Sequence, residues 1–127
     1  MVEANIEKVA SLLSLEFYRF KRYGVPVCLI LVEIEEALFN EVVSKTIRRT
    51  DLFKQIDEDF YAIVYTHADL DDARNAFFNV FMGLDERSYI SRLAIAEALE
   101  SDTSVHEMIL RAYRELLAPK ESAQLSA

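Results

Sequence analysis

The pattern of apolar periodicities predicts an α+β domain: a ferredoxin-like β-α-β-β-α-β antiparallel core sheet with flanking N- and C-terminal helices. Three observations carry this. VCLILVEI, from Val27 to Ile34, is a continuous branched apolar run, as a central strand buried on both faces requires. Two short apolar runs, 52–56 and 60–65, flank Asp57 and Glu58 and read as a hairpin. Segments of helical period precede, separate and follow these strands.

Taken in order, the first helix covers about 2–23, with Ile6, Val9, Leu13, Phe17 and Phe20 on one apolar face. Gly24 is its expected C-terminal cap, and Pro26 forbids continuation. After the central strand, a helix over 36–46 turns Leu38, Val42 and Val43 inward. The hairpin has no glycine, but aspartate tolerates turn geometry better than most residues. A helix over 69–84 carries Leu70, Ala73, Phe77, Val80, Phe81 and Leu84 on one face, and 89–96 is a strand. Ser104 and Glu107 form a capping-box pattern that opens a last helix, which halts before Pro119. In it Val105, Met108, Ile109, Ala112, Tyr113 and Leu116 recur at helical spacing. The split βαβ core should hold its own helices on one face of the sheet. The polar tail KESAQLSA reads as frayed.

At 127 residues, 52% hydrophobic and 11% aromatic, the chain suits a single domain, 1–127, with its core over about 15–117 and a tail at 118–127. The formal charge of −8 argues against nucleic acid, whose phosphates would be repelled. Two basic clusters, Arg19-Lys21-Arg22 and Lys45-Arg48-Arg49, remain suited to a small anion. The single cysteine, Cys28, lies in the apolar run and reads as a small buried hydrophobe. The N-terminus lacks a signal-peptide pattern, and no apolar stretch is long enough to span a bilayer. The expectation is a cytoplasmic protein with no membrane partner.

The motifs in these elements resemble those of the GGDEF family, the diguanylate cyclases. LEFYRFKRYGVPVCLILVEIE is similar to the family's lead-in helix and first strand: Glu16, Arg19, Arg22 and Gly24 match E-x-x-R-x-x-R-x-G, and Glu33 and Glu35 stand at its two aspartates. Arg48-Arg49-Thr50-Asp51 resembles R-x-x-D, the inhibitory-site motif that grips cyclic di-GMP. Asp57-Glu58-Asp59-Phe60-Tyr61 falls over the G-G-D-E-F signature, and SRLAIAEA with DTSVHEMILRAYREL resembles the last core strand and closing helix.

The departures point away from catalysis. Asp57 and Glu58 replace the glycines that admit the nucleotide to the backbone, and Phe60 replaces the signature glutamate. The connection from Glu33 to Arg48 is shorter than the family's by about one helix, and Asn40 is out of register with its guanine-reading segment. The resemblance therefore implies a degenerate, shortened domain with no catalytic residues, no cofactor and no committed metal site. Glu33 and Asp59 are the one pair able to keep a weak metal site, for the residual cyclase reading. The expected function is a signalling module that binds cyclic di-GMP through Arg48 and Asp51. Arginine offers a planar fork to phosphate or guanine, and aspartate accepts from guanine nitrogens. Against this stands an ordinary ion pair at a helix C-terminus. The alternative is a protein-interaction or homodimer domain with no nucleotide, for which Phe17, Phe20 and Tyr23 offer a surface. His67 and His106 have no metal-ligand spacing and read as surface residues.

Overall fold

The computed structural model describes residues 2–35, 39–83 and 90–118. Its elements run α1 (Val2–Tyr23), β1 (Val27–Ile34), α2 (Phe39–Thr46), β2 (Leu52–Asp57), β3 (Phe60–Thr66), α3 (Leu70–Met82), β4 (Ile90–Glu97) and α4 (Val105–Leu116). The four strands form an antiparallel sheet in the order β2-β3-β1-β4, as expected of a ferredoxin-like core.

β1 sits at the centre, hydrogen-bonded to β3 on one side and β4 on the other. Its pleat sends Val27, Leu29 and Leu31 into one apolar cluster and Cys28, Ile30, Val32 and Ile34 into another. The first cluster gathers Val9 and Leu13 of α1 with Met108 and Ile109 of α4. The second gathers Phe39 and Val43 of α2 with Ala73, Phe77 and Val80 of α3. The core's own helices, α2 and α3, share one face of the sheet as expected. The flanking helices cover the other face and leave β1 no solvated side, which is why its sequence does not alternate.

α1 ends where Gly24 takes φ +72° and donates its N–H to the carbonyl of Phe20 at 2.9 Å. Phe17, offered by the sequence as a partner surface, belongs to the core; Phe20 is half-buried against it, and only Tyr23 is exposed. Phe81 is likewise exposed, not inward, and shares the outer side of α3 with Phe78 and Met82. At α4, Ser104 accepts from Glu107 N, but the Glu107 carboxylate takes the N–H of Thr103 at 2.7 Å instead of closing the box on Ser104. A reciprocal capping box does form on α3, between Asp69 and Asp72.

The β2–β3 turn falls one residue later than the sequence suggests. Asp57 closes β2, Glu58 and Asp59 make the turn, and Asp59 adopts φ +58° in place of a glycine. Asp57 Oδ1 accepts from the N–H of Glu58 at 2.8 Å, and the β2–β3 register slips between Gln55 and Asp57. The start of the second helix at Glu36, with Leu38, the positions Leu84 and Tyr89, and the tail beyond Pro119 lie outside the described residues.

Candidate functional site

Arg48 and Asp51 stand in the connection from α2 to β2, beside the C-terminal end of β3. Asp51 N donates to Arg48 O at 3.0 Å, a tight turn that brings the two side chains to the same side. Arg48 Nε donates to Asp51 Oδ2 and Nη2 to Asp51 Oδ1, each at 2.9 Å, a two-point pair. The Arg48 backbone N–H adds a bond to Oδ2 at 3.1 Å. Asp51 Oδ1 also accepts the N–H of Thr66 at 3.0 Å, and Arg48 Nη2 donates to the Thr66 carbonyl.

The two partners differ sharply in exposure. The Asp51 side chain is 1% exposed and that of Arg48 is 54% exposed. Hydrogen bonding to Asp51 raises the Arg48 pKa above its ordinary value, against the opposing effect of partial burial. The carboxylate is thus committed inward, while the guanidinium is fixed in direction with part of its surface toward solvent. Arg49 beside it is exposed, and Lys45 is exposed with only a loose 3.7 Å approach to Glu41. Thr66 is a member of this site that sequence reasoning missed. Only the β2–β3 register, which sets Leu52 opposite Val64, carries Thr66 to Asp51.

The second predicted constellation is looser. Glu33 points to the α1/α4 side near the end of β1, opposite Phe60 on β3 and Arg92 on β4. Arg92 Nε lies 3.7 Å from Glu33 Oε1, with both side chains over two-fifths exposed. Asp59 meets β1 through its backbone, its carbonyl accepting from Ile34 N at 2.9 Å. Phe60, where the resemblance calls for an acid, is buried with its ring 5.8 Å from that of Tyr113. Among the described residues no group of three or more His, Cys, Asp or Glu is placed to hold a metal ion. With an arginine already facing Glu33 and a phenyl ring in the acid's place, these residues do not fit a pair of divalent cations. Glu35 is exposed just beyond β1.

The remaining candidates divide plainly. Cys28 is buried and donates weakly to Ala68 O, and burial pushes its thiol up to about 12, so it is inert as a nucleophile. His67 is exposed at φ +53°, while His106 pairs with Glu7 of α1 at 3.0 Å. A groove of about 290 Å³ runs between α3 and β4, lined by Phe77, Phe78, Phe81 and Leu93 among others.

The fold is that of a GGDEF-like domain. The structure matches the GGDEF domain of DgcB from Caulobacter crescentus, solved in complex with c-di-GMP, with a TM-score of 0.69 at 13% identity, covering 87% of this chain and 81% of that one. It matches the GGDEF domain of FimX from Pseudomonas aeruginosa with a TM-score of 0.72 at 11% identity, over 95% of this chain and 88% of that one. The active GGEEF domain of a diguanylate cyclase from Vibrio cholerae gives 0.72 at 13% identity, over 85% of each chain. Identities this low establish shared architecture and not shared chemistry. No family model matches the sequence, and no curated protein does. Among the described residues no helix is long and apolar enough to cross a membrane.

Proposed function

We propose that this GGDEF-like domain is a non-catalytic signalling module that binds cyclic di-GMP at the Arg48–Asp51 turn. The observation that carries the reading is the asymmetric pair itself: a buried carboxylate holds a half-exposed guanidinium in one orientation. A fork fixed before the ligand arrives loses little side-chain entropy on binding. Arg48 is then the contacting group, and Asp51 its positioning residue instead of a direct acceptor for guanine. Exposed Lys45 and Arg49 add local positive field in a chain of net charge −8. The c-di-GMP held by the Caulobacter domain makes the same ligand the first to try.

The absence of turnover rests on the hairpin. Asp57, Glu58 and Asp59 fill the turn with side chains, Phe60 packs inward on Tyr113, and Glu33 faces Arg92. Calorimetric titration with cyclic di-GMP should give saturable heat that Arg48→Ala reduces at least tenfold in affinity. No heat at high ligand concentration would end the sensor reading. Incubation with GTP and magnesium should give no cyclic product. Product formation abolished by Asp59→Ala would overturn the non-catalytic part.

The second reading, a protein-interaction domain without nucleotide, is favoured by the exposed Phe78, Phe81 and Met82 on α3. Substituting Phe78 and Phe81 by serine should leave cyclic di-GMP binding intact. Loss of a dimer in light scattering on that change would support this reading.

A further inference from the structure

The Arg48 guanidinium is largely committed within the fold. Arginine carries five N–H groups. Nε–H and one Nη2–H go to the Asp51 carboxylate, and the other Nη2–H goes to the Thr66 carbonyl. Both two-point edges of a guanidinium use Nη2, so the protein itself closes the fork that would hold a phosphate through paired bonds. The charge is answered as well, by the bonded Asp51 carboxylate and, beyond bonding distance, by Asp72 of α3. What remains is Nη1 and the flat faces of the group, on which no ring among the described residues stacks. A planar base with one acceptor at its edge suits that remainder better than a phosphate does.

Arg49 differs in every respect. It is the first of the two central residues of the 48–51 turn, between peptides anchored on either side. Asp51 N donates to Arg48 O at 3.0 Å, and Thr66 Oγ1 donates to Thr50 O at 3.1 Å. Its side chain is exposed and has no hydrogen bond or ion pair among the described residues, so its whole fork and its charge are available. Lys45, by contrast, approaches Glu41 at 3.7 Å and presents a point charge without a fork. Neighbouring α-carbons lie about 3.8 Å apart, which puts the two arginines within the span of one nucleotide.

We propose that Arg49 grips a phosphate of the bound cyclic dinucleotide through its free fork, leaving Arg48 to the guanine ring. The assignment rests on the cyclic di-GMP reading of this turn and adds Arg49 to it as a direct contact, not only a source of positive field. The two neighbours thereby divide the ligand: the fixed guanidinium takes the base, and the unpaired one takes the charge.

The test is calorimetric titration of the full chain with cyclic di-GMP at low and at high salt, for the parent, Arg49→Ala, Arg49→Lys and Arg48→Ala. Arg49→Ala should weaken binding at least fivefold at low salt, with the difference shrinking at high salt, where exposed charges are screened. Arg49→Lys keeps the charge without the fork and should recover only part of the loss. Urea midpoints of both Arg49 variants should match the parent, because the side chain has no partner in the fold. Parent-like affinity in Arg49→Ala, with binding lost in Arg48→Ala, would overturn the proposal and leave the cyclic di-GMP reading standing. Parent-like affinity in Arg49→Lys would also overturn it, by reducing Arg49 to a charge. No heat from the parent would end both.

Discussion

Arg48 and Asp51 form a two-point ion pair whose acid is buried and whose base is half-exposed, and the same pair ties the α2–β2 connection to both backbone groups of Thr66. The contact therefore belongs as much to folding as to any ligand. Removing either partner has unequal consequences, because one partner is inside and the other is not.

Asp51→Ala is expected to destabilise the fold by about 2–3 kcal/mol, since it strips acceptors from the N–H groups of Arg48 and Thr66 and from the guanidinium. Arg48→Ala should cost less, about 1 kcal/mol, because two backbone donors still serve the carboxylate and the arginine is half in water. Urea unfolding of both variants measures this. Equal costs would show that Asp51 draws no support from the backbone.

Gly24→Ala should cost about 1 kcal/mol even though no heavy atom lies within 4 Å of the added methyl group. The cost is conformational: φ is +72°, in the left-handed region where a Cβ is disfavoured. Thermal unfolding should report a lowered Tm with unchanged far-ultraviolet dichroism. A neutral result would mean that the α1–β1 turn relaxes to another geometry.

Stability should fall on the alkaline side. Burial, with Glu97, Asp69 and Asp72 nearby, raises the Cys28 thiol from 9.0 to about 12, and burial with Asp57 raises Tyr113 from 10.0 to about 12. Between the ordinary and the raised values the unfolded chain has released protons that the native chain retains, so deprotonation favours unfolding. The contribution is complete below about pH 9 and is lost progressively toward pH 12. Denaturant midpoints measured from pH 8 to 11 should decline, and Cys28→Ala should flatten the first part of that decline. A flat profile in the parent would contradict the burial of both groups.

Among the described residues β4 is an outer strand of the sheet, and its edge is guarded from α4. Glu115 Oε1 accepts the outward N–H of Ile95 at 3.3 Å, and Arg111 Nη2 donates to Glu97 O at 2.9 Å while also pairing with Asp102. Exposed edge groups of this kind invite pairing with another chain. Replacing Glu115 and Arg111 together by alanine should raise the apparent mass in light scattering as concentration increases. An unchanged monomer-to-dimer balance would mean that strand twist alone protects the edge.

Much of the fold was legible along the chain because it depends on local periodicity. The bounds of α1 and β1, the capping serine of α4 and the glycine that ends α1 follow from residue type and spacing. The hairpin was legible as well, but its turn was not placed to the residue. Both Asp57 and Asp59 are capable of turn geometry, and the bulge that chooses Asp59 arises only when β2 is registered against β3. Phe81 was misplaced for a related reason. The helical period marks an apolar stripe, but its width is set by what lies opposite, and here Phe81 has an open groove before it.

The sequence by itself determined the element order, the burial of β1 and the R-x-x-D and D-E-D stretches, because these are matters of composition and period. Tertiary structure alone decided that Asp51 turns inward onto Thr66 while Arg48 stays partly outside, and that Glu33 faces Arg92 across the strands. These relationships join residues far apart in the chain through strand register and helix packing, and no local pattern encodes which side chain meets which.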